Sequence, residues 1–142
     1  MFGVEEELAK CGADMETIVD TAMALYVSHG MDEAAARDNL RAKFMRAFRD
    51  PNISSLLLGA LLLEKHLCRD NGAIRGDPVY LLSDEIIGMA IAEYIGGTCA
   101  RFEFARYDQK KPGVLSRLGP FLDDAVAGLI AGCTSRLYTE CC

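Results

Sequence analysis

Two pairs of adjacent acidic residues stand at the starts of apolar stretches in the C-terminal half of the chain. Asp84 and Glu85 open the run SDEIIGM, and Asp123 and Asp124 open LDDAVAGLIAG. Between them, Asp108 and Lys111 lie together in DQKKPG. Carboxylate oxygens are the ligands that Mg²⁺ prefers, and a bound Mg²⁺ commonly also contacts a substrate phosphate. Because cationic side chains suit phosphate oxygens, these residue types predict a divalent-metal and phosphate site.

Glycines follow the acidic pairs at helical spacing. In a helix, Asp84 and Gly88 lie one turn apart on the same face, as do Asp124, Gly128 and Gly132. A glycine inside a helix costs about 1 kcal/mol relative to alanine, so two helices that carry it there need a reason. The usual reason is close approach of two backbones. We therefore expect the two glycine-bearing faces to meet, and the carboxylates to converge at one end of that contact.

A purely structural interpretation also applies to each acidic pair. Carboxylates near a helix start are stabilised by the helix dipole, and a single such pair is best explained in that way. The repetition of acid pair, helical turn and glycine favours a site instead. Arg106 and Lys111 are the candidate phosphate-binding residues, with a solvated basic helix face as their alternative. Glu64 follows a long apolar run and should need a partner, so it is a weaker candidate for the metal.

These considerations give a specific set of candidate residues. We expect catalytic roles for Asp84, Glu85, Asp108, Asp123 and Asp124, and metal coordination by Asp84, Glu85, Asp123 and Asp124. Glu93 has a weaker claim than any of these. His29 and His66 stand alone at predicted helix ends, where a structural or surface role is expected. Mg²⁺ is the expected ion, with Mn²⁺ as an alternative.

The composition limits the classes of protein to consider. The 142 residues predict one domain over 1–142, and a net charge of -6 with a pI near 4.9 argues against binding to nucleic acid or an anionic membrane. The longest apolar run, Ile53 to Leu63, is about half of the roughly 20 residues that a membrane span needs. No signal peptide is apparent.

The six cysteines include no CxxC, so we expect reduced thiols in a cytoplasmic protein without stable membrane insertion. The adjacent Cys141 and Cys142 are interpreted as a frayed tail, with a redox role as the alternative.

Apolar residues recur at helical spacing along most of the chain, which predicts an all-α fold. We expect a compact bundle of about six helices, over residues 14–28, 33–50, 52–67, 78–95, 98–110 and 121–138. Asn52 is predicted to cap the third of these, and Asp77 with Pro78 to open the fourth. The third is apolar nearly all round and is the candidate central helix. Small residues on the last helix, Ala127, Ala131 and Ser135, offer a face for a homodimer.

Three motifs together resemble a known family. The segments SDEIIGM, FEFARYDQKKPG and PFLDDAVAGLIAG are similar to the DExxG, FRxxDxxKP and DDxxAG pattern of the phosphatidylglycerophosphatase A superfamily, and the likeness extends over residues 14–138. The resemblance implies an all-helical fold and Mg²⁺-dependent removal of a terminal phosphate monoester. It assigns the family's acidic pairs to the residues named above and its DxxKP to Asp108 and Lys111. The chain departs from the pattern at Ala105, which stands where the family has arginine.

The segment KPGVLSRLGPFLDD resembles most closely the soluble branch of that superfamily. The resemblance there implies a small-molecule substrate, α-ribazole 5′-phosphate, a precursor of the lower nucleotide of cobalamin. The alternative enzyme is a phosphatase for phosphatidylglycerophosphate or its archaeal ether-lipid analogue. A non-catalytic helical module that binds metal is the alternative from another class.

Overall fold

A computed structural model of the chain describes residues 1–28 and 30–141, and only the backbone of Cys141. His29 and Cys142 lie outside the described residues, so the predictions for His29 and for the terminal cysteine pair are not tested. The described residues form seven α-helices: α1 (Val4–Lys10), α2 (Met15–Ala24), α3 (Glu33–Phe48), α4 (Pro51–Leu63), α5 (Ser83–Gly96), α6 (Ala100–Lys110) and α7 (Pro120–Cys141). A π-helical segment, Glu64–Asp70, continues α4, and a 3-10 segment, Gly113–Arg117, joins α6 to α7. The predicted all-α fold is confirmed.

The centre of the bundle is α7, the last helix. Every residue from Phe121 to Ser135 is buried, and α2 to α6 all pack against α7. The choice of the third predicted helix as the central one was wrong. In α4, the corresponding helix, Leu62 is mostly exposed and Leu63 partly so, because the helix lies on the periphery with one apolar side turned outward. Periodicity indicated that the third predicted helix is apolar nearly all round, but only packing distinguishes an enclosed helix from a peripheral one.

Glycines bring α5 and α7 into backbone contact. A Cβ atom built on Gly128 would fall on the carbonyl oxygen of Gly88 and 3.1 Å from the Gly88 Cα. One built on Gly88 would overlap the backbone carbonyl of Asp124 and lie 2.7 Å from a ring carbon of Phe104. The predicted meeting of the two glycine-bearing faces is therefore observed. Because Gly88 lies directly against the Asp124 backbone, the first turn of α5 and the first turns of α7 end up side by side.

Several helix starts differ from the predictions. Asp50, and not Asn52, caps α4: its Oδ1 accepts the backbone N–H of Asn52 at 2.8 Å, and Pro51 occupies the first turn. Helix α5 begins at Ser83, so the prediction of a start at Pro78 was wrong. The side chains of Val79 and Tyr80 are largely exposed in the preceding loop, and burial there does not stabilise a helix. Helix α1 was missed, because it is only seven residues long.

The proposed dimer face is used inside the molecule. Ala127, Ala131 and Ser135 are all buried within the bundle, and a Cβ on Gly96 would lie 3.1 Å from the Ser135 Cβ. Because all three are buried inside the molecule, they are not available for a second copy. Within the described residues, no helix has both the length and the apolar character needed to cross a membrane. Cys11, Cys68, Cys99 and Cys133 carry free thiols.

Candidate active site

Two pairs of helix-terminal acids form the core of the site. Asp123 and Asp124 lie in the first turns of α7, and both are buried. Asp84 lies in the first turn of α5, is 1% exposed, and accepts the backbone N–H of Glu85 with its Oδ1 at 2.8 Å. Because Gly88 packs against the Asp124 backbone, Asp84 stands one turn from that contact, near Asp124. The convergence of carboxylates expected from the glycine spacing is therefore present.

Lys111 brings a cation to these acids from the end of α6. Its Nζ lies 2.8 Å from Asp123 Oδ2, 3.0 Å from Asp108 Oδ1 and 3.9 Å from Asp124 Oδ1. The backbone of Lys111 is left-handed, with φ 44° and ψ 55°, which is an uncommon conformation for a residue with a Cβ. It terminates α6 directly before Pro112, and the resulting change of direction turns the lysine toward α7. About 1–2 kcal/mol of backbone strain is thus retained at this position.

The 3-10 segment after Lys111 is held by Thr21, a residue that no sequence pattern singled out. The Thr21 hydroxyl, on α2, accepts the backbone N–H of Val114 at 3.1 Å and donates to the Thr17 carbonyl at 2.8 Å. Gly113 has φ 56°, and a Cβ there would collide with the Thr21 side chain. The glycine of the KPG motif is thus required both by its backbone conformation and by this contact. The motif identified the glycine in advance, whereas Thr21 carries no local signal.

The electrostatics of the site are those of excess negative charge. Burial, followed by the hydrogen bond to Asp108 and the charges of Asp123, Asp108 and Asp84, raises the pKa of Asp124. Burial also raises the pKa of Asp123, although Lys111 opposes the shift. The pKa of Glu85 is raised by burial and then by Asp108 and Asp84. These carboxylates outnumber the ammonium group of Lys111, so the acids are incompletely neutralised.

The pKa of Lys111 shifts in the complementary direction. Burial acts to lower it, but the hydrogen bonds and charges of Asp123 and Asp108 outweigh burial and raise it overall. The lysine therefore stays protonated throughout the neutral range. It remains one-third exposed, so a ligand can reach its ammonium group from solvent.

The donor set fits a divalent cation. Asp123 Oδ1 is buried, and no fixed donor of the described residues reaches it. A bound cation would satisfy this buried oxygen. In the part of the chain that the structure describes, no three His, Cys, Asp or Glu side chains form a ready-made coordination group, and the Lys111 ammonium bridges the acids instead. Hard oxygen donors in excess of positive charge are what Mg²⁺ binding requires.

Glu64 lies beside this group with a defined partner. It is buried at the end of α4, and its Oε1 accepts the backbone N–H of Leu122 at 3.1 Å. A Cβ on Gly119 would overlap the Glu64 carboxylate, so the glycine makes room for it. The carboxylate thus satisfies an N–H at the start of α7, one residue before Asp123. The expected partner of this buried acid is found, while its weaker role as a metal ligand stays a prediction.

Arg106 is directed elsewhere. Its guanidinium donates to Glu103 Oε1 at 2.6 Å and to the Leu25 carbonyl at 2.7 Å, and it interacts with Tyr138. Tyr138 is about four turns along α7 from Asp124. The prediction that Arg106 binds phosphate beside the acids is therefore corrected, since α6 turns this residue toward α2 and the far end of α7. Glu93 is exposed on the last turns of α5, also away from the acids.

Comparisons with known proteins identify the family of this chain. The model of the phosphatidylglycerophosphatase A family matches residues 10–139. An uncharacterized protein of Methanocaldococcus jannaschii is 39% identical over 126 residues, which cover 84% of this chain and 99% of the relative. No solved structure gives a significant match. The chain therefore belongs to the phosphatidylglycerophosphatase A family, a family of phosphatases.

Proposed function

We propose that the protein is a Mg²⁺-dependent phosphomonoester hydrolase whose active site is the group Asp84, Glu85, Asp108, Asp123 and Asp124 with Lys111. The observation that carries this proposal is the ammonium of Lys111 set among incompletely neutralised carboxylates, one of which has a buried oxygen without a fixed donor among the described residues. Such a group favours an added cation. A phosphate monoester, which carries the opposite charge, would then be drawn to the metal and to Lys111 together.

Each group of side chains has a role that follows from its position. Asp84, Glu85, Asp123 and Asp124 would hold Mg²⁺, which when bound activates water and neutralises charge on the phosphoryl group. Lys111 contributes a fixed positive charge for a phosphoryl oxygen, and Asp108 holds the ammonium in place at 3.0 Å. The strained backbone at Lys111 fixes the direction of the side chain before substrate arrives.

The sequence of the motifs supports α-ribazole 5′-phosphate as the substrate. The similarity of KPGVLSRLGPFLDD to the soluble branch of the superfamily is the ground for this choice, and a cytoplasmic location goes with it. A small phosphomonoester would approach the one-third exposed Lys111 from solvent.

One observation favours phosphatidylglycerophosphate or its archaeal ether-lipid analogue instead. Next to Asp84 and Glu85, the structure exposes four apolar side chains: Val79, Tyr80, Leu82 and Ile86. Val79 is 99% exposed and Tyr80 78%. Contiguous exposed apolar residues commonly mark a contact with lipid or protein. Beside a phosphate site they would meet the acyl or prenyl chains of a lipid whose headgroup reaches Lys111. The family description points to the same substrate.

A phosphate-release panel separates these proposals. α-Ribazole 5′-phosphate and a micellar phosphatidylglycerophosphate would each be assayed with Mg²⁺, with Mn²⁺ and with chelator. We expect one of the two substrates to release phosphate, and only when Mg²⁺ or Mn²⁺ is present. The rate of release should fall at least about 100-fold in Asp84→Asn and Asp124→Asn. Asp38→Asn removes an exposed acid on α3 and is the matched control. Metal-dependent thermal stabilisation without turnover of any phosphomonoester would instead establish a non-catalytic metal-binding module.

A further inference from the structure

A cavity lies at the opposite end of the α5–α7 pair from the acidic site. It has a volume of about 270 Å³ and is lined by residues of α3, α4, α5 and α7 together with Asp50. Tyr94, on its wall, is about three turns along α5 from Asp84. Apolar side chains, including Ile53 and Ile95, form part of the lining. The volume is near the lower limit for pockets that hold small molecules.

Three cations line this cavity in a chain whose net charge is -6: Lys43, Arg46 and Arg136. All three act on one carboxylate, that of Glu140 in the last turn of α7. Lys43 Nζ lies 2.6 Å from Glu140 Oε2, and Arg136 Nε lies 3.9 Å from Glu140 Oε1. The hydrogen bond from Lys43, and then the charges of Lys43, Arg136 and Arg46, lower the pKa of Glu140.

Lys43 shows that this positive charge is built into the fold. Its side chain is only 15% exposed, although lysine is rarely buried because its ammonium is strongly hydrated. Among the described residues, the only acid that lines the cavity is Asp50, which is already engaged. Its Oδ1 caps α4, and its Oδ2 accepts the hydroxyl of Tyr94 at 2.9 Å. Positive charge therefore exceeds negative charge in the cavity, even with Glu140 present.

One wall is a fixed aromatic ring. The Tyr94 hydroxyl donates to Asp50 and accepts from Asn52 Nδ2 at 3.0 Å, so both ends of the residue are anchored. About half of Tyr94 is still exposed, which leaves ring surface open for stacking. A planar ring stacked on Tyr94 would also contact the apolar lining, and stacking of a nucleic-acid base on an aromatic side chain is favourable whichever base it is.

We propose that this cavity binds a nucleoside monophosphate, with its phosphate held by Lys43, Arg46 and Arg136 in place of the Glu140 carboxylate and its base against Tyr94. The Glu140 carboxylate already contacts Lys43 and Arg136, so it competes with the ligand for these cations. The phosphate carries more negative charge than the carboxylate and offers three acceptor oxygens, so it can satisfy all three cations at once. The site is separate from the proposed active site and is independent of metal.

Calorimetric titration tests this in chelator, with Asp124→Asn as the background so that no turnover occurs. The probes are AMP, inorganic phosphate and adenosine. We expect saturable binding of AMP, weaker binding of phosphate and none of adenosine. Lys43→Met should weaken AMP binding about tenfold or more, since a charge-assisted hydrogen bond is lost. Glu140→Gln should tighten it about threefold or more, because the competing charge is removed.

The exposed pair Lys10 and Glu7 supplies charge-matched controls. Lys10→Met and Glu7→Gln make the same charge changes outside the lining of the cavity and should leave AMP binding as it was. Arg136→Gln, at a half-exposed position, provides a second test if Lys43→Met loses its helical circular dichroism. No saturable AMP binding, or equal weakening in Lys43→Met and Lys10→Met, would overturn the proposal. Because the titration needs neither metal nor turnover, its failure is distinguishable from a failure of the phosphatase proposal.

Discussion

Replacing Gly128 by alanine tests whether close backbone contact between α5 and α7 assembles the acidic site. The added Cβ would fall on the Gly88 carbonyl oxygen, 2.9 Å from the carbonyl carbon and 3.1 Å from the Cα. All of these are backbone atoms, so no side-chain rotation can make room. The two helices would have to move apart at the point where they place Asp84 beside Asp124.

The expected cost combines two opposing effects. Overpacking in a closely packed interior costs about 1–3 kcal/mol, and the rigid neighbours here favour the upper end of that range. Alanine regains up to about 1 kcal/mol of helix propensity. We therefore expect Gly128→Ala to lower the free energy of unfolding by about 2 kcal/mol. At about 2–4 °C per kcal/mol for a domain of this size, the Tm should fall by about 4–8 °C.

Urea denaturation and thermal melting, each with and without Mg²⁺, measure the effect. Gly59→Ala is the matched control, because Gly59 is also inside a helix but a Cβ added there would meet nothing within 4 Å among the described residues. That variant should be as stable as the parent or more stable, by up to about 1 kcal/mol. Gly128→Ala should also lose part of its stabilisation by Mg²⁺. If it unfolded at the parental urea concentration, the close contact would not hold the site together.

Three further outcomes follow from the charges of the site. In chelator, the Tm should rise as the pH falls from 8 toward 5. The raised pKa values of Asp123 and Asp124 mean that the folded state binds protons more tightly than the unfolded state. Thermal melts across that pH range measure the effect, and a Tm that does not change with pH would contradict it. Lys111→Met should destabilise the metal-free protein by about 2–4 kcal/mol in urea titrations, since it leaves the buried acids unpaired. Glu64→Leu should lower the free energy of unfolding by about 1–3 kcal/mol in the same titration, because the acceptor for the Leu122 N–H is lost. Glu64→Gln should retain the stability of the parent. Weakened Mg²⁺ binding in Glu64→Gln would support the metal role of Glu64.

The clustering of the acidic residues was largely predictable because its signals are local. The spacing of Asp84 and Gly88, and of Asp124 and Gly128, follows from helical periodicity and required that two faces meet. At the end of α6, the left-handed backbone of Lys111 directly before Pro112 changes the direction of the chain. The position of Arg106 could not be predicted in this way, because its side chain is held by the carbonyl of Leu25, a residue far away in the chain.

By itself, the sequence determined the helical fold class, the acidic residues and the family, because periodicity and motif spelling are properties of neighbouring residues. Tertiary structure alone decided that α7 is the central helix, that Ala127 and Ala131 are buried within the bundle, and that Glu64 supports the start of α7. It also decided that Lys43, Arg46 and Arg136 line one cavity. These are contacts between residues far apart in the chain, and they depend on which faces are buried together once the helices pack.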